Sequence, residues 1–114
     1  MHFVCSDPFT KQDYPPDSCL VVNVSSVVPK CDTTLILKVG DHPFISHDSF
    51  VYFKMAHLKQ ARDMETLVRQ GVYRVAENAD RSLIKRIVVY METSNFASMD
   101  MARIAREVYD LTNW

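Results

Sequence analysis

A chain of 114 residues, with 47% hydrophobic and 24% charged side chains, is long enough for one packed domain and short for two. Its formal charge of -1 excludes a whole-molecule field that would draw it to nucleic acid or to an anionic membrane surface. Cys5, Cys19 and Cys31 are odd in number and lack Cys-x-x-Cys spacing, which argues against a disulfide framework and for reduced, mostly buried thiols.

The chain opens on a strand-like run, His2-Phe3-Val4-Cys5, which Asp7-Pro8 ends. The stretch through Tyr14-Pro15-Pro16-Asp17 reads as a loop, because two prolines remove backbone donors and fix φ. Cys19-Leu20-Val21-Val22-Asn23-Val24-Ser25-Ser26 is β-branched and nearly continuous, the pattern of a strand buried on both faces. After a turn at Pro29–Asp32, Leu35, Leu37 and Val39 alternate with Ile36 and Lys38 as a half-buried strand, stopped by Gly40-Asp41. A structured loop follows, from Gly40 to Ser49. Phe50 to Ala56 reads as the next strand, with Val51, Phe53 and Met55 sharing a face. Strands at this spacing imply a small antiparallel barrel or curled sheet.

After His57 the period changes. Ala61, Met64, Leu67 and Val68 have the spacing of a short helix closed by Gly71. Val72–Val75 adds a short strand. Asp80 is the expected N-cap of a second helix, with Leu83, Ile84, Ile87, Val88 and Met91 on its apolar side. Ser98 is the expected cap of a third, striped by Met101, Ile104, Ala105, Val108 and Leu111 and ending in Trp114. This third helix is expected to pack on its own barrel, with a dimer contact through an exposed terminal Trp114 as a second role. These elements make residues 1–114 a single α+β domain, strands first, with a helical extension from about residue 80. No apolar run follows a basic start, so neither a signal peptide nor a membrane span is expected, and the cytoplasm is the expected compartment.

Charge is unevenly distributed. Residues 1–53 hold three basic and six acidic side chains, residues 54–86 eight and four, and residues 87–114 two and four. The middle third therefore offers Lys54, Lys59, Arg62, Arg69 and Arg74 to phosphates, with Tyr52 and Tyr73 beside them for base stacking. His42 and His47 share one loop, so both rings can reach one pocket, and histidine titrates where acid–base chemistry is useful. The competing reading is that such histidines only hydrogen-bond the turn backbone. His42, His47, His57 and Cys31 match no zinc spacing, so no metal and no other cofactor is expected. No Gly-x-Ser-x-Gly signature supports a conventional hydrolase.

The order of these pieces resembles the PemK/Kid/MazF family of plasmid-maintenance toxins. Leu20-Val21-Val22-Asn23-Val24-Ser25-Ser26 looks like that family's Val-x-x-Ile-Thr/Ser strand, and His47-Asp48-Ser49-Phe50-Val51-Tyr52 is similar to its Asp-Ser-x-Val strand. Leu67, Gly71 and the helix from Asp80 follow in the family's order. The likeness covers roughly residues 2–93. The family's N-terminal hairpin and its Arg have no counterpart ahead of His2, and the third helix extends past the family's usual end.

What the resemblance implies is an SH3-like antiparallel β-barrel, a homodimer, an antitoxin protein as partner, and metal-independent cleavage of single-stranded RNA by attack of the ribose 2′-hydroxyl on the adjacent phosphate. Such cleavage needs a base, an acid and a donor for phosphate charge. The residues implied for catalysis are Ser25, His42 and His47, and those for substrate binding are Ser26, Asp48, Arg62 and Arg74. Asp48 and Ser49 would otherwise cap or orient the loop. The alternative is a non-catalytic barrel that binds protein or RNA.

Overall fold

The computed structural model describes residues 1–71 and 79–114. The described residues form strands β1 (His2–Val4), β2 (Ser18–Ser26), β3 (Ile36–Leu37) and β4 (Ser49–Gln60), then helices α1 (Ala61–Arg69), α2 (Arg81–Thr93) and α3 (Met99–Leu111). The expected strand at Val72–Val75, with Tyr73 and Arg74, lies outside the described residues.

All neighbours in the sheet are antiparallel, in the order β1-β2-β4-β3. The sheet is open, with β1 and β3 at its edges, so the closed SH3-like barrel expected from the strand order does not form among the described residues. The reason lies in the edges. β1 is three residues long and β3 only two, too little ladder to join one edge to the other.

β2 is central, and its apolar run is buried as the sequence predicts: Cys19, Leu20, Val21, Val22 and Val24 are all inaccessible. Leu20, Val22 and Val24 enter the main core with Val51 and Phe53 of β4, Leu83, Ile87, Val88 and Met91 of α2, and Met101, Ile104, Ala105 and Val108 of α3. Each such side chain contributes roughly 1.5–3 kcal/mol through burial. α3 is started by Ser98, whose hydroxyl accepts the Met101 amide at 3.1 Å. Asp80 precedes α2 but its side chain makes no capping bond.

β4 carries the main irregularity. Val21 pairs with His57 and Asn23 with Tyr52, so Val22 alone faces the four residues Phe53–Ala56. This wide bulge inverts the strand's alternation. Val51 and Phe53 point into the core before it, and Ala56 and Leu58 do so after it. Met55, expected to share the core face, is 54% exposed instead. Val39 likewise leaves its expected half-buried row, because β3 ends at Leu37 and residues 38–41 turn away: the Asp41 amide bonds the Lys38 carbonyl at 3.0 Å.

Two ends of the helical half also differ from expectation. Leu111 is exposed, whereas Trp114 packs half-buried against the core, in keeping with the last helix packing on its own domain, its indole donating to the Tyr109 carbonyl at 3.1 Å. α1 buries none of its residues despite its apolar stripe. Among the described residues, no helix is long and apolar enough to cross a membrane.

Candidate active site at the end of β2

β2 and β4 close on a final rung in which Ser26 lies opposite Ser49. The loop entering β4 is fastened at that rung: the Val27 amide bonds the Asp48 carbonyl at 3.2 Å, and the buried Ser49 hydroxyl donates to the His47 carbonyl at 3.0 Å. Asp48 and Ser49 thus orient the loop, as one reading of the sequence anticipated. The Asp48 carboxylate also holds Lys38 Nζ at 2.7 Å, tethering a cation beside His47.

These constraints bring the exposed His47 ring against β2. Its Nε2 lies 2.6 Å from Ser26 Oγ, and its Nδ1 lies 3.1 Å from Ser46 Oγ. A neutral imidazole has one donor and one acceptor nitrogen. When Nε2 accepts from Ser26, Nδ1–H donates to Ser46, and the Ser26 hydroxyl is polarised by a base in contact. That arrangement can take a proton from a hydroxyl and return it, and the Ser26 oxygen can hydrogen-bond an anion.

The other expected site residues lie elsewhere. Ser25 faces Phe50 across the ladder, on the opposite side of β2 from Ser26, and no hydrogen bond joins it to either histidine. His42 is buried, edge-on to Phe3 at 5.1 Å between centroids and stacked on Phe44 at 5.8 Å. Its Nδ1 accepts the Phe44 amide at 3.2 Å, which makes it a structural pin of the loop. Arg62 sits on α1, beyond the far end of β4 from His47. Arg74 is outside the described residues. Lys38 and Ser46, which complete the group around His47, went unread in the sequence, although adjacency to His47 was a signal for Ser46. Among the described residues, no group of three or more His, Cys, Asp or Glu side chains is arranged to hold a metal ion.

Comparison of the chain with protein families, with curated proteins and with solved structures returned no match.

Proposed function

We propose that this chain is a toxin-like component of a toxin–antitoxin module, a metal-independent endoribonuclease that cuts single-stranded RNA. The observation that carries this reading is the 2.6 Å approach of Ser26 Oγ to His47 Nε2 at an exposed strand end. In the proposed reaction His47 Nε2 takes the proton of a ribose 2′-hydroxyl. The 2′-oxygen bonds to the adjacent phosphorus as the bond to the 5′-oxygen breaks. The leaving oxygen takes a proton from solvent, leaving a 2′,3′-cyclic phosphate and a 5′-hydroxyl end. Ser26 donates to a phosphate oxygen, and Lys38 supplies positive charge on exchanging Asp48 for phosphate. A cytoplasmic homodimer restrained by an antitoxin protein completes the reading.

The test is tightly controlled expression with growth and RNA integrity as readouts. Arrest with RNA cleavage, removed by His47→Ala and by Ser26→Ala, is the expected result. Normal growth with intact RNA overturns it.

A second reading, a non-catalytic module that binds protein or RNA, is favoured by one observation. Val4, Ala61, Met64, Glu65, Val68 and Arg69 line a groove of about 560 Å³ between β1 and α1, a helix that buries none of its residues.

A further inference from the structure

The face of the sheet turned away from α2 and α3 carries side chains that the Ser26–His47 pair does not use. Phe3, Val22, Val24, Val51 and Phe53 point into the core, so His2, Asn23 and Tyr52 point outward. The bulge reverses the phase of β4, and with Ala56 and Leu58 in the core, His57 and Lys59 join the outer face. The register aligns them in rows: His2 with Asn23 and Tyr52, then Val21 with His57, then Cys19 with Lys59. A straight β4 would have sent His57 and Lys59 to the core side.

The rows are close enough to act together. The His2 and His57 rings meet edge to face, 6.5 Å between centroids. Burial lowers the pKa of His2 first, and the terminal ammonium, His57 and Lys59 lower it further, which places several cationic groups within electrostatic reach of one ring. Asp7 acts on Cys19, at the Lys59 end of the strip, so the most favourable seat for an anion is between His2 and His57. Tyr52 is half-exposed and backed by Phe50 at 5.3 Å, a ring held in place with part of its surface open. Imidazole N–H donors beside a supported aromatic ring on an antiparallel sheet make a surface for an unpaired polynucleotide: the donors hydrogen-bond phosphate and the ring takes a base.

We propose that the outer sheet face binds single-stranded RNA, with a phosphate between His2 and His57, the Asn23 amide on a base edge and a base stacked on Tyr52. Asn23 and Ser26 are three residues apart on β2, about 10 Å, but point to opposite faces, so a strand lying on this face reaches the Ser26–His47 pair by passing around the end of β2. This site supplies the substrate track for the ribonuclease reading and rests on that reading for its purpose, though not for its binding chemistry.

The experiment measures fluorescence anisotropy of a labelled, 2′-O-methylated oligouridylate with the whole chain, so that binding is read without cleavage. Tyr52→Ala and the double variant His2→Ala/His57→Ala are each expected to weaken binding about tenfold. Tyr52→Phe retains the ring and is expected to bind like the parent, and Arg103→Ala on α3 controls for general charge. Affinity is expected to fall with salt at a slope of about -0.7 for each phosphate seated. Thermal unfolding of each variant separates lost binding from lost fold. Binding that the face variants weaken supports the inference even when the chain leaves unmodified RNA intact, and in that case the ribonuclease reading fails alone. Cleavage of RNA by a chain whose folded face variants bind like the parent overturns the inference and leaves the ribonuclease reading standing. No binding of the oligouridylate at low salt also overturns it.

Discussion

His42 and His47 are five residues apart in one loop and face opposite environments: His42 is packed between Phe3 and Phe44, and His47 lies on the surface against Ser26. Their substitutions should therefore separate stability from activity. His42→Ala leaves a cavity against Phe3 and removes the acceptor of the Phe44 amide, at an expected cost of about 2–4 kcal/mol in a urea titration. His47→Ala should change stability by less than about 0.5 kcal/mol. It should lower RNA cleavage about 10²–10⁴-fold, the usual contribution of a general base. Equal destabilisation by the two substitutions would contradict the assignment.

The two helix starts make a second contrast. Ser98 and Asp80 are both good N-cap residue types, but only Ser98 makes the bond, to the Met101 amide. Ser98→Ala is expected to cost about 1 kcal/mol. Asp80→Ala should fall within about 0.5 kcal/mol, because only a weak favourable charge at the helix start is lost. Guanidinium denaturation of the two variants decides the point.

Much of the fold was legible because it rests on local periodicity. Cys19–Val22 and Val24, then Leu83, Ile87, Val88 and Met91, then Met101, Ile104, Ala105 and Val108 are buried where their spacing implies, while Ile84 of the second stripe is partly buried and Leu111 of the third is exposed. The bulge opposite Val22 was not legible, since nothing in Phe53-Lys54-Met55-Ala56 breaks the alternation. It is set by pairing with β2, a long-range fact. Closure of the sheet failed as an expectation for the same kind of reason: Leu35, Leu37 and Val39 alternate well, yet only Ile36 and Leu37 find a partner strand. At the candidate site the loop was readable and its partner was not. Ser25 and Ser26 are adjacent and chemically identical, and only the register of β2 against Ser49 decides that Ser26 meets His47.

The three thiols should differ in reactivity. Burial pushes Cys5 up to about 12, and burial together with nearby Asp7 raises Cys19, so neither offers thiolate near neutral pH. Cys31 is half-exposed on the loop after β2. Titration of the native protein with a thiol-specific disulfide reagent should modify Cys31 alone, located by peptide mass mapping. Cys5 and Cys19 should react only in denaturant. Modification of Cys5 at the rate of Cys31 in buffer would mean that the core opens around Phe3.

His2 gives the fold a dependence on pH whose sign follows from its surroundings. Burial and the neighbouring cations lower its pKa from an ordinary 6.5, so the unfolded chain takes up this proton at a higher pH than the folded one does. Stability is then fully present above the unfolded value and is lost as pH falls through the window between that value and the lowered folded one. The urea midpoint should decline as pH falls through and below the ordinary histidine value of 6.5, and His2→Asn should flatten that part of the profile. An unchanged slope in His2→Asn in that region would show that the outer sheet face places no electrostatic strain on this ring.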